Sequence, residues 1–239
     1  MLLQKLFYRI TLIGGWLIIA LSHATNAQYH EIGAFVGASS YRGDVGSSYF
    51  VYPNSPAFGI VYKWNVTTRY SLRFTAFNST LVGNDYKSTD LSRFLRGYKF
   101  ENNVNEVSLG AEINFKEFNL HTGQPDFSPY LFIGASYVDY NLFYFEGAPP
   151  VEQIDYEGEQ KVAIPIIVGF KVNPNPLMVL GFEMGLRYAL TDNLDGSNPV
   201  DEFDFARFGD FTNNDWYIFS GLTISFTFGD LPCYCKEKR

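Results

Sequence analysis

Cysteine, histidine and methionine are scarce, with 2, 3 and 3 residues in a chain of 239. Two cysteines cannot staple a chain of this length, which excludes a disulfide scaffold. The shortage of histidine weighs against a histidine-dependent enzyme. Positive charge is also short. Eighteen Lys and Arg face 25 Asp and Glu, and the net charge of -7 argues against binding nucleic acid through its phosphates. Long apolar runs are missing too. Mean hydropathy is -0.07, and no stretch reaches the roughly 20 apolar residues that a membrane-spanning helix needs. What is abundant is aromatic and small: 23 Phe, 17 Tyr and 21 Gly. So many aromatics exclude a disordered chain.

Residues 1–27 have the layout of a secretory signal peptide. Lys5 and Arg9 precede the apolar run Ile10 to Leu21, and Ser22 to Ala27 are small or polar. The expected mature chain starts at Gln28, with a barrel over 28–229 and a short tail over 230–239.

The mature chain reads as strands. Period-two alternation appears over about 29–40, 56–65, 68–80, 103–115, 129–143, 160–172, 176–190 and 214–228. In the seventh, Met178, Leu180, Phe182, Met184, Leu186 and Tyr188 share one face. Val179, Gly181, Glu183, Gly185, Arg187 and Ala189 share the other. The fifth is apolar on both faces. No stretch has helical periodicity. Pro165 removes a ladder donor inside the sixth strand, which predicts a bulge or locally open pairing.

A soluble sandwich and a transmembrane barrel both use such strands. A sandwich hides its bulky face, and a barrel shows that face to lipid while filling its lumen with small and polar residues. Strands of a dozen or more residues exceed the soluble norm of about 5–6. The loops decide. Those after strands 1, 3, 5 and 7 read as long (41–55, 81–102, 144–159, 191–213). Those after strands 2, 4 and 6 read as shorter (66–67, 116–128, 173–175). This is the asymmetry of outer-membrane barrels, which have short periplasmic turns and longer external loops. The fold expected is all-β: an eight-stranded antiparallel transmembrane barrel in the Gram-negative outer membrane, with both termini periplasmic. Tyr62, Trp64, Tyr70, Tyr130, Tyr140, Phe143 to Phe145, Tyr188, Trp216 and Tyr217 lie near strand ends and read as interfacial girdles.

The order and spacing of several blocks carry a family resemblance. They include Glu31 to Ser39 followed by Tyr41-Arg42-Gly43-Asp44, then Gly181 to Arg187, Thr191 to Asp195 and Asn213 to Tyr217. The chain resembles the PorG-like outer-membrane barrels of the type IX secretion system of Bacteroidetes, a family also known as a domain of unknown function. The likeness runs from about Glu31 to Gly229, and Asn193 departs from it where the family has Tyr. The resemblance implies a non-enzymatic part in protein export and contact with a periplasmic ring complex that contains a lipoprotein. Outer-membrane lipid would be the other partner. It implies no cofactor. The alternative is a small barrel that binds or transports a ligand through its external loops.

Lys63, Arg73, Glu106, Glu112, Glu183 and Arg187 fall on the face opposite the bulky residues, with Lys171 a further candidate. They read as a structural lumen charge network, and an eight-stranded lumen is just filled by side chains. Cys233, Cys235 and Lys236 form a possible partner-contacting tail, since two thiolates make an incomplete zinc site. Thr191, Asn193, Asp195, Gly196 and Glu202 imitate the spacing of a calcium loop without flanking helices. The acidic run around them reads as a solvated external loop. No catalytic, cofactor or metal residue is assigned. His30 and His121 lack a motif that would make either a catalytic base.

Overall fold

Alternating bulky and small residues make each segment a strand with one apolar and one polar face. The computed structural model describes residues 29–120, 124–147, 151–209 and 214–229. Segment 1–27, His121 and the tail with Cys233, Cys235 and Lys236 lie outside the described residues.

Eight antiparallel strands close into one barrel in chain order. They are β1 (Tyr29–Arg42), β2 (Ser55–Asn65), β3 (Tyr70–Asn84), β4 (Lys99–Asn114), β5 (Asp126–Glu146), β6 (Glu152–Asn175), β7 (Met178–Ala189) and β8 (Trp216–Phe228). Closure comes from β1 against β8, running from His30↔Phe228 to Arg42↔Trp216. The first and last strands therefore begin and end side by side. That end, the terminal end, also holds the other three connections: two tight turns over 66–69 and 176–177 and a longer one over 115–125.

Four loops occupy the other end, the loop end. Three are long, over 43–54, 85–98 and 190–215. The fourth, over 147–151, is short because β5 and β6 run far past their expected limits, to 21 and 24 residues. The loop between β3 and β4 also holds a short helix, α1 (Leu91–Arg96). The Asp90 carboxylate caps it by accepting from the Ser92 and Arg93 amides, and Gly97 at φ 71° ends it. At six residues it is too brief to show a 3.6-residue period.

Pro165 is accommodated as open pairing. The β5–β6 ladder skips from Ile133↔Ile166 to Ser136↔Ala163 and resumes in the same register. The bulge in this hairpin lies higher, where Leu142↔Glu157 is followed by Phe143↔Asp155 and Tyr156 is the extra residue.

Glycines let the strands meet closely. Gly37 faces Gly221 between β1 and β8, and Gly110 faces Gly134 between β4 and β5. A Cβ on Gly37 would lie 2.2 Å from the Ser220 carbonyl oxygen, and one on Gly110 would lie 2.3 Å from that of Ile133. The Phe35 and Phe132 rings lie over these bare patches from inside.

The outer surface is an apolar belt. On β5, Phe127, Pro129, Leu131, Ile133, Ala135 and Tyr137 point outward, and then Asp139 and Asn141 follow. The belt from Phe127 to Tyr137 is about 33 Å along the strand, or about 25 Å along the axis at a tilt near 40°. That is the height of the apolar band of outer-membrane barrels. Polar side chains bound it at one level. Asn78 donates to the Asn105 side chain at 2.8 Å, and Gln160 donates to Asp139 at 3.1 Å.

Among the aromatics read as girdles, Tyr62, Trp64, Tyr70, Tyr188 and Trp216 lie on this outer face. Tyr130, Tyr140, Phe143 and Tyr217 are buried inside the barrel. Position near a strand end could not separate the two sets; only strand parity and the bulge do.

Candidate functional site: a filled lumen between two closed mouths

The inward residues form three layers. Nearest the terminal end, residues 115–120 of the β4–β5 connection fold into the mouth. Phe118 and Leu120 are buried there against Val179. The turn is held by the Phe118 amide donating to the Thr68 carbonyl at 3.0 Å and by Lys116 paired with Asp126 at 2.7 Å.

Above it lies the charge network. Glu112 on β4 accepts from three cations: Lys171 at 2.6 Å, Lys63 at 2.9 Å and Arg73 at 3.4 Å. Arg73 also reaches Glu183 at 2.8 Å, and Glu183 accepts from the Tyr130 hydroxyl at 2.6 Å. A second group pairs Arg187 with Glu106 at 3.3 Å, and Glu106 accepts from the Tyr217 hydroxyl at 2.6 Å. Glu31 accepts from Asn65 at 2.8 Å. The balance is even: Lys63, Arg73, Lys171 and Arg187 face Glu31, Glu106, Glu112 and Glu183, all buried. Buried charges persist only when paired, and here each carboxylate is hydrogen-bonded. Aromatic faces complete the desolvation. Arg187 lies 4.5 Å from the Phe219 ring, Arg73 5.3 Å from Phe132, and Lys171 4.8 Å from Phe118.

Above the charges the lumen is apolar. Phe35, Phe77, Phe100, Phe143 and Phe219 are buried there with Leu81 and Val104. Phe77 packs edge-on against Phe35 at 4.9 Å.

The loops close the far mouth through buried carboxylates. Asp195 accepts from the amides of Asp44 and Val45 at 2.8 and 2.9 Å and from Ser197 at 3.0 Å. Asp85 accepts from the Gly46 amide at 2.9 Å and pairs with Arg96 of α1 at 2.8 Å. Asp215 accepts from the Leu194 amide at 2.9 Å and from the Tyr41 hydroxyl. Burial pushes the Asp215 carboxyl well above the ordinary aspartate range, and the nearby charge of Asp195 adds to the rise. The acidic stretch expected to be a solvated loop is therefore divided. Asp195 and Asp215 are fully buried and organise the cap, whereas Glu202 and Asp204 are exposed. The oxygens of Asp195 that a calcium loop would offer are taken by backbone amides.

All six expected network residues, and Lys171 with them, share the lumen. Glu31, Tyr130 and Tyr217 complete the set. Glu31 was legible from parity, two residues before Gly33 on the inward face of β1. Tyr130 was hidden because β5 is apolar on both faces. His30 points outward, accepts or donates one bond with the Tyr62 hydroxyl at 2.8 Å and stacks on Phe228.

Apolar outside, neutral and packed inside, and closed by eight strands, the molecule has the fold of a small outer-membrane barrel. Over residues 10–237 it matches the model of the family described as Domain of unknown function (DUF6089), and it belongs to that family. No curated protein matches it. Among solved structures it is similar to Ail, the attachment invasion locus protein of Yersinia pestis. Identity is 11%, coverage 85% of this chain and 99% of that one, and the TM-score 0.42. Neisserial surface protein A gives 12%, 84%, 96% and 0.44, and OprG from Pseudomonas aeruginosa 10%, 86%, 97% and 0.39.

Proposed function

We propose that this chain is a non-enzymatic barrel of the Gram-negative outer membrane that serves the type IX protein secretion machinery. It anchors or aligns the periplasmic ring complex, with the terminal end facing the periplasm. The observation that carries this reading is the filled interior. A loop cap, an aromatic layer, a neutral ion network and a terminal plug lie in series, so the barrel offers surfaces rather than a path. The likeness to PorG-like sequences supplies the machine. The turns over 66–69, 115–125 and 176–177, with the tail bearing Cys233, Cys235 and Lys236, then face the ring lipoprotein. The lipid partner is the bilayer around the apolar belt.

A second reading is a barrel that binds a ligand through its loops. Exposed Tyr49, Phe50, Leu91, Leu95 and Phe205 at the loop end favour it. Deleting the gene separates the two. The first reading expects a broad loss of secreted proteins, restored by the wild-type chain. Normal secretion with a narrow loss of uptake or adhesion overturns it in favour of the second.

A further inference from the structure

The β5–β6 hairpin outruns the rest of the barrel. β7 pairs with β6 only as far as Ala163↔Ala189, and the last backbone bond on that side runs from the Leu190 amide to the Val162 carbonyl at 2.9 Å. β5 continues to cover the opposite side of β6 up to Glu146↔Glu152. Residues 152–161 are thus a sheet edge with no backbone partner on the β7 side among the described residues.

Antiparallel strands turn alternate residues to alternate neighbours. Since Val162 offers its carbonyl to the β7 side, Gln160 and Gly158 offer their N–H and C=O groups to that side as well. The sheet face at Gly158 is uncrowded as well: a Cβ there would meet nothing nearer than the Tyr140 carbonyl of β5, at 3.9 Å. Exposed edges are ordinarily guarded by proline, lysine or a bulge. This stretch has no proline, its single lysine is paired with Glu159 at 2.9 Å, and the bulge at Tyr156 interrupts it only above Glu157.

The side chains around the edge select the occupant. Glu152, Asp155 and Glu157 are exposed and have no cation partner among the described residues. A second copy of this edge would bring the same carboxylates against them, and like charges repel. A strand carrying cations would be attracted and would satisfy the open ladder. We propose that the edge of β6 from Gly158 to Lys161 is a strand-addition site for an extended protein segment rich in lysine or arginine. The site stands on the fold alone, whatever machine the barrel serves. Its short ladder makes the affinity modest, and the charge attraction makes it dependent on salt.

The full chain in phospholipid nanodiscs tests this. The probe is a fluorescent peptide of alternating lysine and threonine, followed by anisotropy at low salt. Controls are the same peptide N-methylated at each residue, which keeps the charge and loses the donors, and a glutamate–threonine peptide. The lysine peptide is expected to bind saturably, the methylated one at least about tenfold more weakly, and the acidic one not at all. A photoreactive version should label residues 157–161. Gln160→Pro removes a donor on the open side and leaves the β5 backbone ladder in place, and should weaken binding similarly; Gln160→Ala, which loses the same side-chain bonds to Tyr137 and Asp139 but keeps the donor, should bind like the wild type, with the heat-sensitive gel mobility of the folded barrel unchanged in both. Equal binding of the methylated peptide, labelling elsewhere, absence of saturable binding or self-association through this edge would each overturn the proposal.

Discussion

Arg73 on β3 spans the barrel interior to Glu183 on β7, with 2.8 Å between Nη2 and Oε1. These strands lie on opposite walls of an eight-stranded barrel. The bond therefore ties across the lumen what the ladders tie around it. Glu112 receives the other end of Arg73 together with two lysines, so one carboxylate contacts three buried cations.

Glu112→Gln should strip Lys63 and Lys171 of their anion and leave Arg73 with Glu183 alone. Removing one partner of a buried ion pair costs about 3–5 kcal/mol. Urea unfolding in lipid vesicles should show a loss of that size. Arg69→Ala, which breaks the exposed pair with Glu117, should cost no more than about 1 kcal/mol. Comparable losses for the two would contradict the network's structural role.

The belt predicts where charge is tolerated. Leu109 points outward within it and is 62% exposed, whereas Asn105 lies four residues away on the same face in the polar boundary. Leu109→Arg should destabilise the inserted barrel by about 2–4 kcal/mol, and Asn105→Arg by no more than about 1 kcal/mol. Folding titrations in phosphatidylcholine vesicles measure both. Equal effects would mean that the belt is misplaced.

The cap should loosen as pH rises. Asp215 faces Tyr41, the Leu194 amide and the charges of Asp195 and Asp192, and its carboxyl is raised above its ordinary 3.8. A group raised in the folded state stabilises fully below its unfolded value, and that contribution is lost as pH climbs through the folded value. After correction for intrinsic rates, the amides of Asp44, Val45 and Leu194 should exchange more slowly near pH 5 than near pH 8. Asp215→Asn should flatten this difference. An unchanged pH dependence in that variant would exclude Asp215 as its source.

The filled interior predicts electrical silence. In planar bilayers the purified chain should give no stable conductance steps, because eight strands leave a lumen just wide enough for side chains. Reproducible steps would show an open path and favour a transport role.

Much of this architecture was written in period two. The inward placement of Lys63, Arg73, Glu106, Glu112, Glu183 and Arg187 followed from parity, because residues an even number apart on one strand share a face, as Glu112 does with Gly110 and Glu183 with Gly181 and Gly185. Strand ends followed less well. β5 and β6 extend far beyond the bilayer, where neither face needs to be apolar, so alternation fades while pairing continues. Asp195 and Asp215 looked solvated because a carboxylate among acidic neighbours carries no local sign of burial. Their distant partners are the amides of Asp44 and Val45 and the hydroxyl of Tyr41, about 150 to 170 residues earlier in the chain. Only the closed barrel brings those segments together.

The role proposed for this barrel is to hold a secretion complex at the membrane. A crosslinking pull-down of the tagged protein from detergent-solubilised outer membranes, read by mass spectrometry, tests it most directly. Recovery of the periplasmic ring lipoprotein and its partner is expected, with crosslinks at the terminal-end turns and the tail. Recovery of the barrel alone, under conditions that keep the ring intact, would contradict it.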